Sequence, residues 1–389
     1  MSESEPWRVG WDLTVQERNR FRAMSIASQA AKRQALEDDI EVHPLWHPKF
    51  DPGDLMPQRE WNGLSALSLF SGGGGLDLGF DRAGFAHAGS WEIVEDAAAT
   101  LKANRPSWDV HGGTEEGDVR GVDWRSLRGS INVVHGGPPC QPFSASGRQQ
   151  GPEDPRDMFP EFARAVLAIR PDAFVAENVP ALLQRKFQTY LQEIVIGPLS
   201  HAYHILPPFV LRVDSFGVPQ VRRRVLLIGF KSKRTADRFR PPVATHSSAR
   251  LWNGLPDAAS TTALTCMGVR EALGLDDLGT DALAPTIRSP LTGPRHTTSV
   301  LSSMSARRVW ETLKLWPNGI APDREAARRY PTPNGDLRIS VKDIALIQGF
   351  PENWSFVGAV YKALGQIGNA VPPPLAYRVA CAVAEALKA

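Results

Sequence analysis

The run Gly136-Gly137-Pro138-Pro139-Cys140-Gln141-Pro142-Phe143-Ser144 puts a thiol on a stiff loop, and Glu177-Asn178-Val179 follows thirty-seven residues after that cysteine. A thiolate is a nucleophile and a carboxyl group exchanges protons or hydrogen bonds, so the pair suits chemistry on a bound substrate. Residues 131–134 read as a short buried strand, ending where glycines and prolines turn the backbone sharply and hold Cys140 outward. Residues 173–176 form a second apolar strand with Glu177 at its end. Strand ends border the ligand crevice of an open parallel α/β sheet, so these two strands can aim both groups at one substrate.

A second site is written around Ser71-Gly72-Gly73-Gly74-Gly75, which follows an apolar strand at 64–70 and precedes a helix opening at Leu76. Glycines there permit positive φ and close approach of a ligand, and the helix N-terminus offers free N–H groups. Glu92 stands twenty residues after Gly72, at the end of a second strand, where a ribose-binding carboxylate is expected. Asp118, in Gly117-Asp118-Val119, can accept from an adenine amino group. Together these residues fit an adenosine-bearing cofactor. They do not separate a dinucleotide from S-adenosylmethionine.

The elements that must position these groups alternate in type. Strands are expected at 64–70, 86–91, 131–134, 173–176 and 225–230, and helices at 76–83, 97–104 and 159–169, which is the rhythm of a doubly wound sheet. Residues 15–41 predict a helix in an N-terminal leader (1–60) of unassigned role, followed by a proline-rich linker. Residues 231–337 lose the alternation and suggest a smaller, loop-rich second domain. Order returns in the last fifty residues, with helices expected at 343–348 and 374–387.

Bulk properties narrow the class. The three cysteines, Cys140, Cys266 and Cys381, are too few and too dispersed for a disulfide framework or a zinc cluster, so no metal is expected. No long apolar run or charged-then-apolar leader is present, which predicts a cytoplasmic protein without a membrane partner. Net charge is only +2, but residues 231–340 hold sixteen Lys or Arg against ten Asp or Glu, as a polyanion-binding module would.

With these motifs in hand, the chain resembles the DNA (cytosine-5)-methyltransferase family, of the bacterial restriction-modification type, from residue 64 to the C-terminus outside the basic region. Phe70-Ser71-Gly72-Gly73-Gly74-Gly75, Glu92, Gly117-Asp118-Val119, the Cys140 loop and Glu177-Asn178-Val179 carry the resemblance. So do Gln220-Val221-Arg222-Arg223-Arg224, Gln348-Gly349-Phe350-Pro351 and Gln366-Ile367-Gly368-Asn369-Ala370-Val371-Pro372, in the family's order and spacing.

The resemblance implies a Rossmann-like, S-adenosylmethionine-dependent sheet (residues 61–230 plus 338–389) and a target-recognition domain (231–337). It implies that Cys140 adds to cytosine carbon 6, that Glu177 steadies ring nitrogen 3, and that Arg222 and Arg224 line the same pocket. One of those arginines should hold the base carbonyl or a neighbouring phosphate, while Arg223 should face the other way. By the same resemblance Phe70 stacks on adenine, Glu92 binds the ribose and Asp118 the adenine amine. Ser71, Gly72, Gly74, Gly75, Ile93, Val119 and Pro139 complete the cofactor pocket. Asn369, with Ala370 and Val371, holds the methionine end and returns the last helix against the first strand. Ser144, Arg288, Arg295 and His296 are candidate DNA contacts, because polar loops with arginine can read guanine in the major groove.

The implied partner is double-stranded DNA, with the target cytosine flipped out of the stack. A companion restriction endonuclease, a monomeric state and nucleoid association through DNA also follow. Two alternatives stay open: a tRNA cytosine-5 methyltransferase on the same scaffold, and a nicotinamide oxidoreductase, which offers no task for Cys140, Glu177 and Arg224 together.

Overall fold

The computed structural model describes residues 14–139, 157–251, 263–292 and 297–389. Its centre is an eight-stranded sheet built from β1 (Ser65–Leu69), β2 (Ala86–Glu92), β3 (Val110–Gly112), β4 (Val133–Gly136), β5 (Ala173–Asn178), β6 (His204–Ile205), β7 (Phe209–Arg212) and β8 (Arg223–Phe230). The order is β3-β2-β1-β4-β5-β8-β6, and β7 also pairs with β8. β1 to β5 are parallel, and the central strands β1, β4 and β5 are buried almost throughout, as strands covered on both faces are. β8 departs from the expected parallel sheet: the helical segment 180–200 carries the chain over to β6 and β7, which share β5's direction, and the link 213–222 after β7 turns the chain back so that β8 runs antiparallel to all three.

Strand order reverses between β1 and β4, so the loops leaving these two strands diverge and leave a crevice at their carboxyl ends. The glycine turn leaves β1 and the Cys140 loop leaves β4. Gly136 makes the close pairing of these strands feasible, since a Cβ there would stand 2.4 Å from the Leu69 carbonyl oxygen.

Helices cover both faces. Phe159–Ile169 presents Phe159, Phe162, Ala163, Val166 and Ile169 to one face, beside Phe174 and Leu227. On the other face Gly75–Arg82 packs against Pro373–Lys388 so closely that a Cβ on Gly79 would lie 2.4 Å from that of Ala376. The last helix therefore returns against the helix that opens at the glycine turn.

The second lobe holds two short parallel pairs, β9 (His246–Ser247) with β10 (Leu264–Thr265) and β11 (Leu315–Ala321) with β12 (Leu337–Ser340), and the Met304–Thr312 helix. Two contacts run across the expected domain borders. Helix Lys233–Arg238 stays on the main sheet, where Phe239 meets the Phe230 ring at 5.5 Å, and β12 carries the expected return point at 338 into the second lobe. One apolar cluster spans both lobes, joining Phe80, Val133 and Ile228 to Trp310, Ile320 and Tyr330.

The leader is partly built in. Helix Val15–Glu37 opens with a Thr14/Glu17 capping box and buries no residue, although Lys32 reaches the Gly319 carbonyl at 3.1 Å. The expected linker instead packs: Trp46, Phe50 and Met56 are buried in the main cluster, and the Trp46 indole N–H donates to Asp343 at 3.1 Å. Prolines break helix and strand periodicity but do not prevent an extended strap from burying its aromatic residues. Among the described residues, no helix is long and apolar enough to cross a membrane.

Candidate active site

The cofactor side begins with strain. Phe70 ends β1 at φ 57°, a left-handed conformation uncommon for a bulky residue and found mainly where function over-determines it. Gly72 and Gly74 follow with positive φ, and a Cβ on Gly74 would strike Leu101 and Trp354 within 3 Å (2.6 and 2.8 Å). Gly72 differs: nothing lies within 4 Å of where its Cβ would stand, leaving an open cradle. Gly75 starts the helix against Val371, whose carbonyl oxygen would be 2.0 Å from an added Cβ.

Glu92 is 7 % exposed and ties the second strand end to this turn. Its carboxylate accepts from the Gly72 N–H at 2.7 Å and the Val94 N–H at 2.8 Å. Burial raises its pKa above the ordinary carboxylate value, and those two backbone donors pull it back. Ser71 donates to Ser68 at 2.8 Å, Ile93 is half-buried beside Glu92, and Val119 is buried.

Asp118 is ion-paired: the Arg120 guanidinium grips both carboxylate oxygens at 2.6–3.0 Å and lowers the Asp118 pKa, and the carboxylate retains lone pairs for a further donor. Asn369, at the exposed end of helix Val360–Asn369, is followed by buried Ala370 and Val371. Two residues to which the sequence assigns no role brace the turn. The Trp354 indole donates to the Gly73 carbonyl at 3.1 Å, and Gln366 accepts from Thr100 at 2.7 Å. Trp354 lies three residues past the Gln348–Pro351 motif, and only chain reversal brings it to the turn.

The catalytic side is centred on Glu177, in β5, with Arg224 two residues from it in the β8 register. Arg224 Nε lies 2.5 Å from Glu177 Oε1, both side chains being under a tenth exposed. This approach is off the N–H direction, leaving Nε without an aligned hydrogen bond, so the pair is a charge contact. Burial raises the Glu177 pKa, against the opposing pull of Arg224 and then Arg222. The root of the Cys140 loop sits directly above: a Cβ on Gly137 would be 3.0 Å from Glu177 Oε2, and Asn178 Nδ2 donates to the Pro138 carbonyl at 3.0 Å. Pro139 is the last described residue before the loop; Cys140 and Ser144 lie outside the described residues, as do Arg295 and His296.

Arg222, whose charge reaches Glu177, is itself tied to backbone carbonyls. It is 2 % exposed and its guanidinium donates to the carbonyls of Ile287 (2.8 Å), Gly368 (2.7 Å) and Ala370 (3.0 Å). Strand periodicity alone would place it beside Arg224, but it precedes β8 and is drawn into an inter-segment joint. Gln220 completes that joint, donating to Gln348 Oε1 at 2.7 Å and accepting from the Ile287 N–H at 3.2 Å. The expected polar loop 285–288 is therefore half structural: Thr286 donates to the Val221 carbonyl and Ile287 is buried, leaving Arg288 exposed. Arg223 is exposed, as strand alternation predicts.

A profile of the C-5 cytosine-specific DNA methylase family matches residues 64–273 and 279–385. The chain belongs to that family. It is 33 % identical over 328 residues to the Type II methyltransferase M.NgoMIV of Neisseria gonorrhoeae, covering 84 % of this chain and 98 % of the relative. Type II methyltransferase M.PspPI of Psychrobacter sp. is 32 % identical over 368 residues, covering 91 % and 87 %. The fold is similar to that of a prophage-encoded Escherichia coli protein described as a candidate DNA modification methyltransferase (TM-score 0.53, 24 % identity, 84 % and 100 % covered). Membership makes this chain a DNA (cytosine-5)-methyltransferase with S-adenosylmethionine as methyl donor and sets aside the nicotinamide alternative. The residues fit that donor, since the open cradle at Gly72 adjoins the buried Glu92 carboxylate.

Proposed function

We propose that the chain is a site-specific modification enzyme of Type II restriction-modification type, acting on a flipped-out cytosine through a covalent Cys140 adduct. The observation that carries this reading is the Glu177–Arg224 pair packed against Gly137 at the root of the Cys140 loop. Cytosine carbon 5 is a weak nucleophile. Addition of the Cys140 thiolate to carbon 6 converts the ring to an enamine, while negative charge builds at ring nitrogen 3. A raised Glu177 pKa keeps a proton available at that nitrogen, and Arg224 opposes the developing charge nearby. S-adenosylmethionine, when bound, supplies an electrophilic methyl group. Glu92 and the Gly72 turn orient its ribose at the crevice edge next to the thiol loop, and Phe70 offers the adenine a ring. Loss of the carbon 5 proton and expulsion of Cys140 then restore the aromatic ring and free the enzyme. Ser144, Arg288, Arg295 and His296 contact the DNA in this reading, and the enzyme works as a monomer in a cell that carries a matching endonuclease.

Bisulfite sequencing of DNA from cells expressing the chain tests activity and gives the target site together. Duplex DNA containing 5-fluorocytosine should form a denaturant-resistant complex with the wild type and none with Cys140→Ala. Methylation confined to tRNA, or turnover by Cys140→Ala above about a thousandth of wild type, would overturn the assignment.

A further inference from the structure

β8 starts at the same sheet edge at which β5 ends, because the two strands are antiparallel with Asn178 opposite Val225. Arg223 therefore emerges beside the Glu177–Arg224 pair but on the opposite sheet face, above Val225 and Leu227. Its direct cross-strand neighbour on β7 is Arg212. Like charges facing each other across a ladder are destabilising unless an anion relieves them. Asp214 pairs with Arg212 at 2.5 Å, whereas Arg223 has no ion pair among the described residues.

The same face carries two more cations. The turn Pro180–Leu183 packs on β8, and Leu182 and Phe187 share an apolar cluster with Val225 and Leu227, so the exposed Arg185 and Lys186, the latter over the Phe187 ring at 4.9 Å, belong to this face. Residues far apart in sequence thus collect three exposed cations at the edge where the target base must enter. All three lie in the sheet domain and outside the basic region 231–340.

We propose that Arg185, Lys186 and Arg223 form a band that grips backbone phosphates beside the target cytosine, whatever the surrounding sequence. This rests on the DNA methyltransferase reading and assigns the sheet domain its own hold on the duplex. Each phosphate neutralised releases condensed counterion, so each arginine or lysine contributes close to one unit of slope in log K against log salt.

Binding of the full-length protein to target and non-target duplexes, followed by fluorescence anisotropy from 50 to 200 mM salt (roughly the range over which such contacts change most), tests the band. Arg223→Gln and the double variant Arg185→Gln/Lys186→Gln should weaken both duplexes by the same factor. The slope should flatten by about one unit for the first and about two for the second. S-adenosylmethionine affinity and the single-turnover rate at saturating DNA should stay at wild-type values. Arg223→Lys should restore the slope, since a phosphate contact needs charge and not a guanidinium fork. An unchanged slope in both variants overturns the band, and so does a loss restricted to the target duplex. Failure of the broader reading would show separately, as a wild-type protein that binds DNA without methylating it.

Discussion

Two arginines one residue apart carry opposite expectations. Arg224 faces Glu177, so Arg224→Ala should lower the single-turnover methylation rate, with a smaller stability loss than Arg222→Ala because the buried Glu177 carboxyl can take up a proton once its partner is gone. Arg222 bonds three backbone carbonyls from two distant segments, so Arg222→Ala should cost about 3–5 kcal/mol of stability, as expected when buried acceptors lose a charged partner. Urea denaturation alongside single-turnover kinetics separates the two, and equal stability losses would undo the distinction. His135 offers a pH test. It is buried, stacked on Phe80 at 4.1 Å, and burial depresses its pKa from 6.5 to about 4. A base with a depressed folded pKa stabilises the fold fully above its unfolded pKa and loses that contribution as pH falls through the window from 6.5 to about 4. Between pH 7.5 and 4.5 the wild type should therefore lose about 2–3 kcal/mol more than His135→Phe, which keeps the ring stack without the titration. Parallel loss in both proteins would remove His135 as the cause.

At the scale of elements, the strap 42–57 behaves as part of the core. Trp46→Ala should destabilise by about 3–5 kcal/mol, the range for removing a buried large aromatic. The value comes from chemical denaturation, and a change under about 1 kcal/mol would return the segment to a passive linker. Helix Val15–Glu37 buries nothing, so deletion of residues 1–37 should leave the denaturation midpoint far closer to wild type than Trp46→Ala does. The glycine turn makes a parallel case at the other end of the sheet. Glu92→Ala should weaken S-adenosylmethionine binding by roughly 1–3 kcal/mol in calorimetry, because the carboxylate both offers oxygens to the ribose and holds the Gly72 N–H in place.

For the whole molecule, the contacts bear on both the seams and the charge of the lobe proposed to read the DNA site. Several of its basic residues are spent internally: Arg270 on the carbonyls of Asp276 and Leu313, Arg338 on those of Asn318, Gly319 and Pro331, and Arg324 on Asp343 and Glu352. Arg328 and Arg329 reach back to Glu41 and Asp39 of the leader. The positive balance of residues 231–340 thus overstates what the lobe can present to DNA. A chimera that exchanges the insert for that of a relative should keep its fold when cut after Phe239 and after Ser340. Cuts at 230 and 338 would divide the Phe230–Phe239 contact and the β11–β12 pair. Bisulfite sequencing of the well-cut chimera should show the donor's target site, and retention of the original site would move specificity out of the insert.

The sequence by itself determined the parallel half of the sheet, the glycine turn with Glu92, and the conjunction of the Cys140 loop with Glu177. Each strand's apolar run, the turn residues that end it and the side chain that follows are contiguous in the chain, and the pairings between them follow from neighbouring parallel strands ending at one edge. Only the tertiary structure decided that β8 runs antiparallel, that Arg222 bonds the carbonyls of Ile287, Gly368 and Ala370, that Arg120 pairs with Asp118, and that Trp46 belongs to the core. Which partner a polar or aromatic side chain takes depends on segments that fold over it from tens to hundreds of residues away. A buried guanidinium goes to whichever carbonyls would otherwise be left without a donor.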